Sequence, residues 1–108
     1  MKKTAVIFDL DGTLWDACET IAPAWSRVCR ERGLELTFTP DECRGYCGKT
    51  LEQIAALVFP DADPAWREEV LKACCAAENE PLSRTGGRLY PGLEAVLTEL
   101  RRVLFHYL

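Results

Sequence analysis

At 108 residues, with 48% hydrophobic and 28% charged side chains, the chain is long enough for one small domain, too short for two full ones, and unlike a disordered polar tail in composition. Its formal net charge is −4, and the arginines at 27, 30 and 32 are interleaved with Glu31 instead of forming a stripe, which argues against nucleic acid and against an anionic membrane as partners. The apolar run behind Lys2 and Lys3 is cut by Asp9 and Asp11, and no later stretch approaches the roughly 18 apolar residues of a spanning helix, so a cytoplasmic protein is expected.

Ala5 to Phe8 is a short, continuous apolar run with β-branched residues, which predicts a strand buried on both faces of a parallel sheet. Asp9 then stands where that strand leaves the sheet, the carboxyl end at which open α/β sheets bind their ligands. Beyond Thr13 the pattern turns helical. Asp16 and Glu19 are spaced as a capping box, and Ala17, Ile21, Trp25 and Val28 form one apolar stripe that ends at Gly33. Pro23 lies within that stripe and predicts a bend or break around Ile21 to Pro23.

Leu34 to Phe38 reads as an extended connection. Thr39, Pro40 and Glu42 specify the next helix start, which Gly45 and Gly48 keep short. Thr50 and Gln53 form a second capping box, ahead of a helix that carries Leu51, Ile54, Ala55, Leu57 and Val58 as far as Pro60. Asp63 and Pro64 repeat the cap-plus-proline start, and Trp66, Val70, Ala73, Cys74 and Ala77 describe a longer helix that Pro81 is expected to end or kink. Residues 83–88 read as a polar linker, and Leu93, Val96, Leu97 and Leu100 mark a final helix. Val103 to Leu108 fits either its frayed end or the start of a second strand.

The six cysteines, at 18, 29, 43, 47, 74 and 75, occur in a chain with no export signal and at no recognised zinc spacing, so reduced, mostly buried thiols are expected. Trp15, Trp25 and Trp66 fit packing roles, Asp16 and Thr50 fit caps, and His106 has no placed partner.

The chemistry concentrates in the acidic turn. In extended backbone, residues two apart face the same side, so Asp9 and Asp11 converge on one pocket while Leu10 points into the core. Gly12 lets the chain turn without an obstructing side chain, and the N–H groups around Leu10, Gly12 and Thr13 suit phosphate oxygens. Like charges so close split their proton affinities, so one carboxylate stays ionised as a nucleophile while the other holds a proton. Such oxygen donors are what Mg²⁺ prefers, and magnesium-assisted phosphoryl transfer through an aspartyl phosphate is coherent chemistry for them. A calcium loop of the EF-hand type fails on spacing, since Gly12 is fourth from Asp9 where that loop needs its glycine sixth, and Thr20 holds the place of the twelfth-position glutamate.

Val6-Ile7-Phe8-Asp9-Leu10-Asp11-Gly12-Thr13-Leu14 resembles the first motif of the haloacid dehalogenase superfamily of hydrolases. The helical stretch from Asp16 to about Arg88, followed by Leu89-Tyr90-Pro91-Gly92 and a helix, resembles members with a helical cap, such as phosphoglycolate phosphatases and β-phosphoglucomutases. The resemblance implies an α/β fold whose Rossmann-like core is only partly present. Residues 1–15 would be its first strand and catalytic turn, 16–88 an inserted helical cap and 89–108 the return to the core, so that this chain is mostly α. It implies Asp9 as nucleophile, Asp11 as general acid and base, and Mg²⁺ held by the Asp9 side chain and the Asp11 backbone carbonyl. The implied substrate is a phosphomonoester, a small phosphorylated metabolite held at Leu10, Gly12 and Thr13. The loop Gly45 to Thr50 would close over the site, with Gly48 and Lys49 as its substrate contacts.

The family pattern continues with a Ser or Thr on a second strand, a later lysine and a further acidic motif, none of which can be placed here. The expectation is therefore an N-terminal portion, inactive or nearly so by itself, whose lone strand favours self-association through the incomplete core. A phosphomutase of the same family and a non-catalytic helical binding module that keeps the turn as a relic stay open. Asp11 argues against dehalogenation, and a receiver-type phospho-acceptor would need an accepting aspartate on a later strand.

Overall fold

The computed structural model describes residues 5–105. In chain order these form β1 (Trp15–Asp16), α1 (Cys18–Glu31), α2 (Pro40–Tyr46), α3 (Leu51–Val58), α4 (Pro64–Thr85), β2 (Arg88–Leu89) and α5 (Leu93–Phe105). The chain is thus mostly helical with a two-stranded sheet, consistent with part of a Rossmann-like core carrying a helical cap.

Local chemistry accounts for the helix starts. The Thr39 hydroxyl accepts from the Glu42 N–H at 3.2 Å with Pro40 at the first helical position, so α2 begins where its first N–H groups are either satisfied or absent. Thr50 and Gln53 make both bonds of a capping box, at 3.1 and 2.9 Å, to open α3. Asp63 accepts from the N–H groups of Ala65 and Trp66 at the start of α4. The box expected at Asp16 and Glu19 does not form. Instead α1 starts two residues later, and Asp16 Oδ1 accepts from the Cys18 N–H at 3.0 Å.

Neither internal proline breaks its helix. Pro23 lies on the exposed side of α1 and removes one ladder bond, to the carbonyl of Glu19, a residue that is itself exposed and open to water. Past Pro81, α4 runs to Thr85, so the first half of the expected 83–88 linker is helical. Its last turn is held from outside the ladder: the Thr85 hydroxyl donates to the Pro81 carbonyl at 2.9 Å, the Ser83 hydroxyl to Glu80 at 2.8 Å, and Arg84 pairs with the Glu80 side chain.

The core lies between α1 and α4, closed by α2 and α3. Cys29, Val70, Leu71 and Cys74 have no exposed surface, and the Trp25, Phe38 and Tyr46 rings pack at centroid separations of 5.4 to 6.5 Å. Ser26, buried among them, accepts from the Phe38 N–H at 2.9 Å and donates to the Ala22 carbonyl at 2.7 Å, which pins the extended 34–38 connection onto α1.

Ala5 to Phe8 is not a paired strand. Val6, Ile7 and Phe8 are 46, 95 and 38% exposed, and no other described segment pairs with them. A parallel strand takes its hydrogen bonds from neighbours and its burial from covering helices, and no described segment supplies either. The ladder that does form is antiparallel, Trp15 with Leu89 and Asp16 with Arg88, and joins the chain where it enters and leaves the helices. α5 extends through Val103 to Phe105, so the described part of the 103–108 segment is helical, while Lys2, Lys3 and residues 106–108 lie outside the described residues. Among the described residues no helix is long and apolar enough to cross a membrane.

Candidate active site

The acidic turn closes on one carbonyl. The Leu10 oxygen accepts from the N–H groups of Thr13, Leu14 and Trp15 at 3.0 to 3.2 Å, and the Gly12 N–H donates to the Trp15 carbonyl at 3.0 Å. This winding needs a positive φ at position 12, and Gly12 has φ +77°. A second requirement falls on the same residue: a Cβ there would lie 3.3 Å from Cys47 Cβ and 3.4 Å from its Sγ. Cys47 thus rests on the turn and brings with it the α2–α3 loop that contains Gly48 and Lys49. The contact joins two segments 35 positions apart in sequence.

Both acids are exposed. Asp9 Oδ1 accepts from the N–H of its neighbour Leu10 at 3.0 Å, and Asp11 Oδ1 accepts from the Trp15 indole at 2.8 Å. Leu10 is 47% exposed instead of buried, since among the described residues no sheet lies behind it. The Leu10, Gly12 and Thr13 N–H groups are all engaged within the turn. Gly48, Lys49 and Thr13 are exposed, and the Lys49 N–H closes its own loop on the Tyr46 carbonyl at 3.1 Å.

Trp15 couples this turn to the two-stranded ladder. A Cβ at Gly87 would come within 2.7 Å of the Trp15 ring, so the indole lies against bare backbone on the returning segment. One residue on, Asp16 Oδ2 accepts from Arg44 Nε at 2.7 Å, and Arg44 also pairs with Asp41. The Cys18 N–H, then the Arg44 guanidinium, hold the Asp16 carboxyl below the usual range. That pair fastens the end of α2, and with it the loop bearing Cys47, to the entry strand.

On the helical side, Glu78 Oε2 accepts from the Trp25 indole at 2.7 Å. Burial pushes the Glu78 carboxyl up, the indole bond pulls against it, and the charge of Asp11 pushes it further up. The thiols of Cys18 and Cys74 are pushed up to about 12 and that of Cys43 to about 11, foremost by burial, which makes them packing groups with little thiolate character. Cys47 is the exposed thiol. Among the described residues no cluster of three or more His, Cys, Asp or Glu side chains is arranged to hold a metal ion.

The structure therefore brings Gly12 to Cys47 and Asp11 to Trp15, and it leaves Asp9 at the surface. Sequence reasoning gave Trp15 only a packing role, placed Cys47 only as part of the closing loop, and passed over Arg44, Glu78 and Gly87, whose contacts lie between elements distant in sequence.

Residues 6–106 match the haloacid dehalogenase-like hydrolases, and the chain belongs to that family. It is 35% identical over 103 residues to the plasmid phosphoglycolate phosphatase of Cupriavidus necator, covering 92% of this chain and 43% of that protein. Over 98 residues it is 32% identical to the phosphoglycolate phosphatase of Xanthomonas campestris pv. campestris, covering 91% and 43% respectively. Over 99 residues it is 32% identical to that of Cereibacter sphaeroides, covering 89% and 45%. The chain spans less than half the length of these curated relatives. No solved structure matches it at a comparable level of significance.

Proposed function

We propose that the chain carries the nucleophile turn and helical cap of a magnesium-dependent phosphomonoester hydrolase of the phosphoglycolate phosphatase type. The observation that carries this reading is the seating of Cys47, from the loop between α2 and α3, on Gly12 of the Asp-x-Asp-Gly-Thr turn. It sets a mobile class of element against a fixed one, the arrangement a closing cap requires.

In this reading Asp9 attacks phosphorus to form an aspartyl phosphate while the bond to the leaving oxygen breaks, and Asp11 protonates that oxygen. Asp11 then takes the proton of the water that hydrolyses the intermediate. The cap loop, through Gly48 and Lys49, contacts the anionic substrate, and Leu10, Gly12 and Thr13 form the turn around its phosphate. Asp9 is exposed with only its neighbour's N–H bound, and the Asp11 carbonyl takes no part in the bonds that close the turn, so both suit a hard cation that keeps several waters. Magnesium, when bound there, would neutralise charge on the phosphoryl group. The β1–β2 ladder supports the division into residues 1–15, 16–88 and 89–108, with the helices of the middle part as the cap, in a cytoplasmic protein.

By itself the chain is expected to be inactive or nearly so. No third donor joins the two acids among the described residues, and the turn's N–H groups at Gly12 and Thr13 are committed internally, so a transferring phosphoryl group meets little charge neutralisation. The same exposure of Asp9 and Asp11 favours, as a second reading, a helical binding module that keeps the turn without catalysis.

Two measurements on the purified chain separate these. Mg²⁺ should shift the backbone amide resonances of Leu10 to Thr13, and Asp9→Asn should remove the shifts. With p-nitrophenyl phosphate and Mg²⁺, turnover should stay at background. Robust turnover lost in Asp9→Asn would refute the inactivity, and an unchanged Mg²⁺ response in Asp9→Asn would favour the binding module.

A further inference from the structure

Asp11 is held by a side chain that the reaction itself does not call for. The Trp15 indole Nε1 donates to Asp11 Oδ1 at 2.8 Å, across the acidic turn. The backbone of Trp15 is fixed from several sides. Its N–H donates to the Leu10 carbonyl at 3.2 Å, its carbonyl accepts from the Gly12 N–H at 3.0 Å, and in the ladder it stands opposite Leu89.

The body of the same ring rests on the exit of α4. That helix finishes at Thr85, and Gly86 and Gly87 follow it directly. A Cβ at Gly87 would fall 2.7, 2.8 and 3.0 Å from Trp15 Cδ2, Cε3 and Cγ, and one at Gly86 would fall 3.6 Å from Cζ3, so the indole is seated on bare backbone. Trp15 thus meets Asp11 with its polar edge and the end of α4 with its apolar body. A displacement of α4 relative to the turn moves that seat, and the ring carries the displacement to Asp11.

An indole N–H is a donor only, so it gives a hydrogen bond to Asp11 and cannot take its proton. With Oδ1 accepting, the proton of the acid form belongs on Oδ2, because the hydroxyl oxygen of a carboxylic acid is the poorer acceptor. We propose that Trp15 is a positioning residue for the hydrolase reaction: it fixes the Asp11 side chain in one rotamer, assigns proton transfer to Oδ2, and sets both through its seat on Gly86 and Gly87, an inference that rests on the reading of Asp11 as general acid and base. Oδ2 gives its proton to the leaving oxygen and, once ionised, takes one from the water that hydrolyses the aspartyl phosphate.

Three-bond Hα–Hβ couplings in the purified chain report the Asp11 rotamer, and the Mg²⁺ response of the Leu10 to Thr13 amides reports the enzymatic reading separately. Asp11 should populate one staggered rotamer. Trp15→Phe keeps an aromatic ring over the glycines and deletes the N–H, so Asp11 should average among rotamers while the Tyr90 amide keeps its protection from exchange. Gly87→Ala keeps the N–H and displaces its seat, and it should release Asp11 in the same way. The Trp15 indole N–H should exchange with solvent about tenfold faster in Gly87→Ala and in Asp11→Ala. A single Asp11 rotamer that survives Trp15→Phe overturns the proposal, and one that survives Gly87→Ala overturns the link to α4. Averaging in Trp15→Phe that comes with loss of Tyr90 protection overturns it too, since the ring would then be a structural support. When the Mg²⁺ response is intact, these failures fall on Trp15 alone. No Mg²⁺ response in the unsubstituted chain overturns the enzymatic reading, and the role of Trp15 with it.

Discussion

Two regions of this molecule are both rich in apolar residues and differ entirely in what happens to that apolarity. In the bundle of α1 to α4, each stripe meets another, and Cys29, Val70, Leu71 and Cys74 are closed to solvent. In the limb made by Ala5 to Leu14 and α5, Ile7 is 95% exposed and Val96 half exposed. The radius of gyration, 17.8 Å, exceeds the roughly 13 Å of a compact chain of this length, because α5 extends from the bundle without packing onto its helices. Apolar patterning gives an element the capacity to be buried, and burial itself depends on a second face of matching shape. The acidic turn belongs to the less supported region, so its geometry rests on a few contacts, of Trp15, Cys47 and Gly87, and not on a packed core.

The largest test of that contrast sets one leucine against another. Leu71→Ala empties space in a site with no exposed surface and should cost about 3 kcal/mol, a substantial part of what holds a small domain together. Leu97→Ala, at 42% exposure on α5, should change stability by no more than about 0.5 kcal/mol in dilute solution. Urea unfolding followed by the fluorescence of buried Trp25 reports both, and comparable losses would mean that the limb and the bundle share one core.

A smaller effect should appear at the junction. Gly87→Ala drives a methyl group to within 2.7 Å of the Trp15 ring, which must move, at a cost of about 1–2 kcal/mol. The damage should be local. The Trp15 indole would leave Asp11, and the Tyr90 N–H, bonded to the Leu14 carbonyl at 3.3 Å, would lose protection from hydrogen exchange while Val70 kept its own. Equal loss of protection at Val70 would show that the ladder is part of the bundle's cooperative unit.

How much of this was legible in the sequence follows the same division. The starts of α2, α3 and α4 were readable because caps act within four residues: Thr39, Thr50 and Asp63 each bond to an N–H two or three positions on. The alternation of apolar residues likewise gave the bundle's stripes. Both helices run on past Pro23 and Pro81, and at Pro23 the missing bond falls on an exposed face, where water can satisfy the freed carbonyl. The strand at Ala5 to Phe8 was read correctly as apolar and wrongly as paired, because pairing is a property of two segments. For the site, the Asp-x-Asp-Gly-Thr string carried the chemistry and the family. Its surroundings were illegible because Gly12 to Cys47 and Arg44 to Asp16 are contacts between elements, with no periodicity to announce them.

The smallest expected effect crosses between the two regions. Burial and the nearby charge of Asp11 raise the Glu78 carboxyl above its ordinary value of 4.5, against the opposing pull of the Trp25 indole. The folded chain then binds the Glu78 proton more tightly than the unfolded one, so the carboxylate costs stability at neutral pH, and that cost disappears as the pH falls through the folded value and below 4.5. Glu78→Gln keeps an oxygen to accept from the indole and sheds the charge. It should therefore stabilise the chain near neutral pH by no more than about 1 kcal/mol, with a gain that vanishes at about pH 4. Asp11→Asn, a substitution in the exposed turn, should lower the Glu78 pKa measured by side-chain carboxyl NMR, because it removes the like charge that helps to raise it. A Glu78 pKa unmoved by Asp11→Asn would mean that the turn stands free of the helices in solution. A fall would show that the weakly supported limb is held where the bundle can sense it, as a cap that closes over an acidic turn requires.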